Sequence, residues 1–151
     1  MTWETPAQDK QLFSNTACNE NGLIVSFDNY YGMPISYTED MITYTQGTID
    51  SNFSVVYNGL IGEGIISYGN ETFVILGENN QVAISKDGKN WSIINTNVSE
   101  NFVYISFAKD MFLAFTDNGK GYRSVDGITW TLLEGLAPSY LYHFAYGAGI
   151  Y

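Results

Sequence analysis

The sequence predicts an all-β fold built as a tandem array of four-stranded antiparallel units, and three observations predict it. The chain carries 12 Tyr, 9 Phe and 3 Trp, so aromatics make up 16% of its 151 residues. With the many Ile, Val and Thr, they suit pleated, half-buried surfaces better than helices. A heptad then repeats: Ser85-Lys86-Asp87-Gly88-Lys89-Asn90-Trp91 recurs as Ser124-Val125-Asp126-Gly127-Ile128-Thr129-Trp130, displaced by 39 residues. Finally, each repeat divides into four short apolar runs bounded by turn residues. Four short strands per period of about 40 residues is the pattern of a propeller blade or a related stacked-sheet array. The expected architecture is therefore a β-propeller or partial propeller, in one domain spanning residues 1–151.

The third unit shows its elements most clearly, with strands a to d at Phe102–Ala108, Met111–Thr116, Gly121–Val125 and Thr129–Glu134. The corresponding b strands are Gly22–Phe27 and Thr72–Gly77, and the c strands are Met33–Thr38 and Gln81–Lys86. On the a strands, Ile66-Ser67-Tyr68 matches Ile105-Ser106-Phe107, and Phe144-Ala145-Tyr146 follows after a further 39 residues. An earlier, degenerate copy of the heptad reads Thr38-Glu39-Asp40-Met41-Ile42-Thr43-Tyr44, keeping the hydroxyl, the Asp and the aromatic while Met41 replaces Gly. In that copy Cys18 stands in the place of Tyr68 and Phe107, and a buried small hydrophobe is expected there. It lies 22 residues before its Asp instead of 19, which puts three extra residues in one loop around Asp28 to Met33.

The units run approximately 3–44, 45–91 and 92–130, with a partial unit at 131–151. Trp3 sits where a d-strand aromatic belongs, and Gly149-Ile150-Tyr151 begins a b strand. About three and a half units do not close a ring alone, since closed propellers typically have about 4 to 8 blades. Open strand edges invite pairing, so the expected partner is protein: further blades of the same protein, or another copy. The longest d–a connection, roughly 46–63, holds Phe53, Val55, Val56 and Tyr57. It is too apolar for a solvated loop and is expected to pack on a neighbour, in this chain or a partner.

The heptads resemble the short Asp-box, Ser/Thr-x-Asp-Gly-x-x-Trp, of BNR-like β-propeller repeat proteins such as sialidases, sortilin-like receptors and photosystem assembly factors. The match is good at Ser85, Asp87, Gly88 and Trp91 and at Ser124, Asp126, Gly127 and Trp130, and weaker at Thr38, Asp40 and Tyr44. The wording of the repeat is most similar to repeats of bacteriophage and phage-like tail proteins. The resemblance implies that these residues are structural and lie away from the ligand face. The residue chemistry agrees: the Asp carboxylate accepts N–H bonds from its own turn, Gly takes φ > 0, and Trp anchors the returning strand. Sialidases hold the substrate carboxylate with three arginines, whereas Arg123 is the only arginine here.

Charge and composition narrow the function classes further. With 16 acidic against 6 basic residues and a net charge of −10, the chain lacks the clustered cations that phosphate backbones and anionic lipids require. Nucleic acid and membrane insertion are excluded as expectations, and no signal peptide pattern opens the chain. One His143 and one Cys18 leave no metal-ligand pair, and no phosphate loop is present. His143 reads as an a-strand residue in register with Ile65 and Tyr104. No enzyme, cofactor or metal is expected.

Opposite the heptad hairpins, the b–c connections each carry an acidic residue followed by Asn: Asp28-Asn29, Glu78-Asn79 and Asp117-Asn118. These residues form turns well, Asn118-Gly119 in particular. A recurring carboxylate and amide on one rim also suits sugar hydroxyls, Ca²⁺ or a basic partner, with Tyr30-Tyr31 as a stacking surface. The expected role is a non-catalytic structural or receptor-binding module of a phage or phage-like tail, located in the virion or particle. The alternatives are a bacterial carbohydrate-binding or adhesin module at the cell surface and a cytoplasmic assembly scaffold.

Overall fold

The computed structural model describes residues 15–27, 35–56 and 64–134. Twelve strands fall among them. The first sheet holds β1 (Asn15–Cys18), β2 (Ile24–Phe27), β3 (Ser36–Thr38) and β4 (Thr45–Gln46). The second holds β5 (Ile66–Gly69), β6 (Thr72–Leu76), β7 (Gln81–Ser85) and β8 (Ser92–Asn95). The third holds β9 (Phe102–Ala108), β10 (Met111–Thr116), β11 (Gly121–Ser124) and β12 (Thr131–Leu132). Each sheet is an antiparallel meander in chain order, and the first strands lie side by side, β1 against β5 and β5 against β9. The chain is an all-β partial propeller of four-stranded blades. The fourth strands follow the heptad aromatics, so each sheet is completed just past residues 44, 91 and 130.

Local chemistry sets the turns. Asn70-Glu71 and Lys109-Asp110 join the a and b strands with positive φ at both residues, the two-residue turn whose twist matches its strands. The d strands are shorter than the sequence suggests. Residues after Ser124 are spent on the hairpin, so β12 pairs only through Tyr122 with Leu132 and Arg123 with Thr131.

Burial follows position within each sheet. Phe73, Val74, Ile75 and Leu76 in β6 are all fully buried, with the third sheet's Gly127 lying against Val74, and Phe112 and Ala114 of β10 are equally buried. The outer strands β4 and β12 are exposed and only two residues long, which limits edge pairing. Phe73 meets Trp91 at 6.3 Å between ring centroids, and Phe102 meets Trp130 at 4.8 Å. Each such ring contributes roughly 1.5–3 kcal/mol through burial.

The long d–a connection packs on the second sheet of its own chain. Val56 joins the core, Phe53 lies over Gly77, and Val55 bridges to Gly77. Two expectations are corrected. Cys18 holds the register of Tyr68 and Phe107 but is exposed. That position is only half-buried elsewhere, where rings reach Phe73 (4.5 Å) and Phe112 (5.0 Å); a thiol is too short to do so. The extra residues of the first unit are also divided. Cys18 and Ile24 pair six apart where Tyr68 and Phe73 pair five apart, and Ile24 to Thr38 spans two residues more than Phe73 to Ser85. One insertion is thus in the a–b turn and two are in the b–c connection. His143, Trp3 and Tyr57 lie outside the described residues.

Candidate functional site

The hairpin rim is built three times by one hydrogen-bond scheme. Asp87 Oδ1 accepts the N–H groups of Lys89 and Asn90, both at 2.8 Å, and the Ser85 hydroxyl at 2.9 Å. Asp126 accepts from Ile128 (2.8 Å), Thr129 (2.9 Å) and the Ser124 hydroxyl (2.8 Å). Asp40 accepts from Ile42 (2.8 Å), Thr43 (2.7 Å) and the Thr38 hydroxyl (3.0 Å). The hydroxyls in turn accept the N–H of Gly88, Gly127 and Met41 at 2.8, 2.9 and 3.0 Å. Met41 keeps the turn at φ 59, beside 68 for Gly88 and 74 for Gly127.

These contacts move the carboxyls. The N–H groups of Thr43 and Ile42 and the Thr38 hydroxyl lower Asp40 to about 2. At Asp87 and Asp126 burial pushes upward, but the N–H and hydroxyl donors outweigh it and hold both below the ordinary range. All three carboxylates are charged at neutral pH and spent on their own turns.

The hairpins also join the sheets. A Cβ on Gly88 would come within 2.7 Å of Leu23 Cδ2 and 2.8 Å of Val25 Cγ2, and one on Gly127 within 2.5 Å of Val74 Cγ2. Glycine is therefore required by contact as well as by φ. Beside it runs a clamp on the Trp backbone. Thr48 accepts the Trp91 N–H at 2.9 Å with its main chain. In the next sheet the Asn97 side chain does the same work, accepting the Trp130 N–H and donating to its carbonyl, each at 2.9 Å. Tyr44 is 39% exposed where Trp91 and Trp130 are buried.

The opposite rim brings together the b–c connections and the d–a segments beside them, as the Thr96 N–H bond to Asn80 O and the Asp117 N–H bond to Asn101 O show. Glu78, Asn79, Asp117 and Asn118 are exposed there. Asn79 takes φ 55 in its turn, and the Asn118 side chain accepts the Thr116 hydroxyl at 2.7 Å. Asn79 thus serves its turn through its backbone and Asn118 through its side chain. Asp28, Asn29, Tyr30 and Tyr31 lie outside the described residues. Sequence reading missed Glu100 on this rim. It pairs with Lys120 and accepts the Tyr122 hydroxyl at 3.0 Å, and Lys120 above all lowers it to about 2. No repeat signal marks this trio, because the second unit has Gln81 and Ala83 where the third has Lys120 and Tyr122.

Among the described residues no three His, Cys, Asp or Glu gather as a metal site, and no helix is long and apolar enough to cross a membrane. No family model and no curated protein matches the chain. Solved β-propellers do match. The structure of YCF48 bound to D1 peptide aligns with TM-score 0.58 and 18% identity over 80% of this chain and 40% of that one. YCF48 from Cyanidioschyzon merolae aligns with TM-score 0.56 and 17% identity over 85% of this chain and 38% of that one. The chain thus spans about two fifths of the length of these structures, and the likeness is one of fold.

Proposed function

We propose that this chain is a non-catalytic propeller module that binds protein, and that it serves as a structural or receptor-binding component of a phage or phage-like tail. One observation carries the binding reading. The hairpin carboxylates are consumed by their own turns, whereas Glu78 and Asp117 stand exposed on the opposite rim. An acidic rim on a chain of charge −10 favours a basic protein segment. That a propeller of similar fold, YCF48, is solved with a D1 peptide supports a peptide as the kind of ligand. The tail assignment rests on the Asp-box wording of the repeats, whose hydrogen-bond scheme recurs in all three hairpins.

The test is to search purified phage-like particles from the source for this chain by mass spectrometry. Binding of those particles to host cells is then measured for the protein with Asp28→Ala, Glu78→Ala and Asp117→Ala combined. The chain is expected in the particles, and the variant is expected to weaken binding. Absence from particles sinks the tail reading. Unchanged binding by the variant sinks the rim, and a positive glycan array would replace the peptide with a sugar.

A further inference from the structure

The register of the second sheet aims the outer edge of β8. Ser92 lies opposite Ile84 and Ile94 opposite Val82, and the Thr96 N–H bonds Asn80 O at 2.8 Å. Hydrogen-bonded residues alternate along an antiparallel pair, so Ser92 and Ile94 turn their main chain to β7, while Trp91, Ile93 and Asn95 turn theirs outward. Trp91 shows the direction. Its N–H reaches Thr48 O at 2.9 Å, and the Thr48 N–H reaches Lys89 O at 2.7 Å. Thr48 thereby pairs in parallel with Asn90 on this edge. The chain then turns away at Asp50, whose carbonyl accepts the Phe53 N–H at 3.1 Å and whose Oδ1 accepts the Asn52 N–H at 2.9 Å.

The second and third sheets treat this edge differently. In the third, the Asn97 side-chain amide covers both the N–H and the carbonyl of Trp130, and β12 is two residues long. In the second, β8 runs for four residues, Ser92-Ile93-Ile94-Asn95. Edge strands are ordinarily blunted by short length, charge or proline, and β8 has none of these. We infer that the outer edge of β8 takes an extended basic segment of a partner protein as an added strand. The chemistry chooses this occupant. Ile93 and Asn95 offer main-chain N–H and C=O groups at strand spacing, which another extended main chain matches. Ile93 and Ile94 are half-buried on opposite faces, so β-branched residues on the segment find an apolar neighbour on each side. Charge adds to this. Asp50, two residues past Thr48, and Glu78, whose carbonyl accepts the N–H of Gln81 opposite Asn95, are exposed carboxylates near the two ends of the edge. Lys89 is paired with Glu39, so on a chain of charge −10 these ends favour lysine or arginine.

The edge is a contact beyond the acidic rim, and the experiment keeps the two apart. The probe is a short synthetic peptide of alternating valine and threonine with a lysine at each end, beside the same peptide N-methylated throughout, which keeps the charge and loses the N–H groups. Binding to the 151-residue chain is read by fluorescence anisotropy, and its place by amide hydrogen exchange. The plain peptide should bind and slow exchange at Ile93 and Asn95, and N-methylation should weaken it about tenfold or more. Ile93→Pro removes an outward N–H without taking a bond from β7, which an edge strand tolerates, and should weaken the plain peptide similarly. Asp117→Ala should leave it unchanged. Equal binding of the two peptides, or protection confined to the turns of Glu78 and Asp117, overturns the edge and leaves the rim standing. A plain peptide that does not bind overturns the edge as well.

Discussion

Replacing Gly127 with Ala tests whether the hairpins hold the sheets together. Gly127 sits at φ +74, and a Cβ there would lie 2.5 Å from Val74 Cγ2. Val74 is fully buried in the middle of β6 and is β-branched, so its methyl has little room to turn aside. Two costs therefore add. The left-handed backbone costs a non-glycine residue roughly 1–2 kcal/mol, and forcing a methyl into a packed contact costs typically about 1–3 kcal/mol. The expected loss is about 2–5 kcal/mol. Gly22 supplies the control: its φ is +84, and nothing lies within 4 Å of its Cβ position. Gly22→Ala should lose only the backbone share. Urea unfolding with tryptophan fluorescence gives both values from the midpoints, provided the slopes agree. If the two variants lose the same stability, the glycine is needed only for its turn, and the account of inter-sheet contact is wrong.

Acid should unfasten the hairpins. A carboxyl held at about 2, as Asp40 is, titrates well below its unfolded value of about 3.9. Its stabilising share is complete above that value and is lost as pH falls toward 2. The urea midpoint should therefore decline between about pH 4 and pH 2, and a midpoint flat across that window would sink the claim. Asn97→Ala removes both bonds to the Trp130 backbone and should cost about 1–3 kcal/mol, with faster hydrogen exchange at Trp130; unchanged exchange would show that the clamp is idle. Phe112→Ala empties a fully buried site against Phe107 and should cost about 3–5 kcal/mol, read by thermal melting.

Much of this fold was legible because its information is local and repeated. The Ser/Thr-x-Asp-Gly spacing encodes a turn whose donors and acceptors lie within three residues of one another. The four-strand period needed only the 39-residue displacement. Even the degenerate copy was readable, since Thr38 and Asp40 supply the bonds and Met41 tolerates the turn at φ 59. Cys18 was read in the right register but with the wrong burial. Alignment reports which ring a residue replaces, but not whether its shorter side chain still reaches the core.

The sequence by itself determined the strands, their order in each sheet and the hairpin chemistry, because these depend on residues close together in the chain. Only the tertiary structure decided which sheet lies on which. It showed that Asn97 takes over from the Thr48 main chain as the clamp, and that the 46–63 connection folds back on its own chain, described as far as Val56. It also left Met41 and Ile42 in solvent. Contacts between residues 30 or more positions apart follow from how whole sheets stack. A repeat motif says that such stacking occurs, but not what stands at its open end.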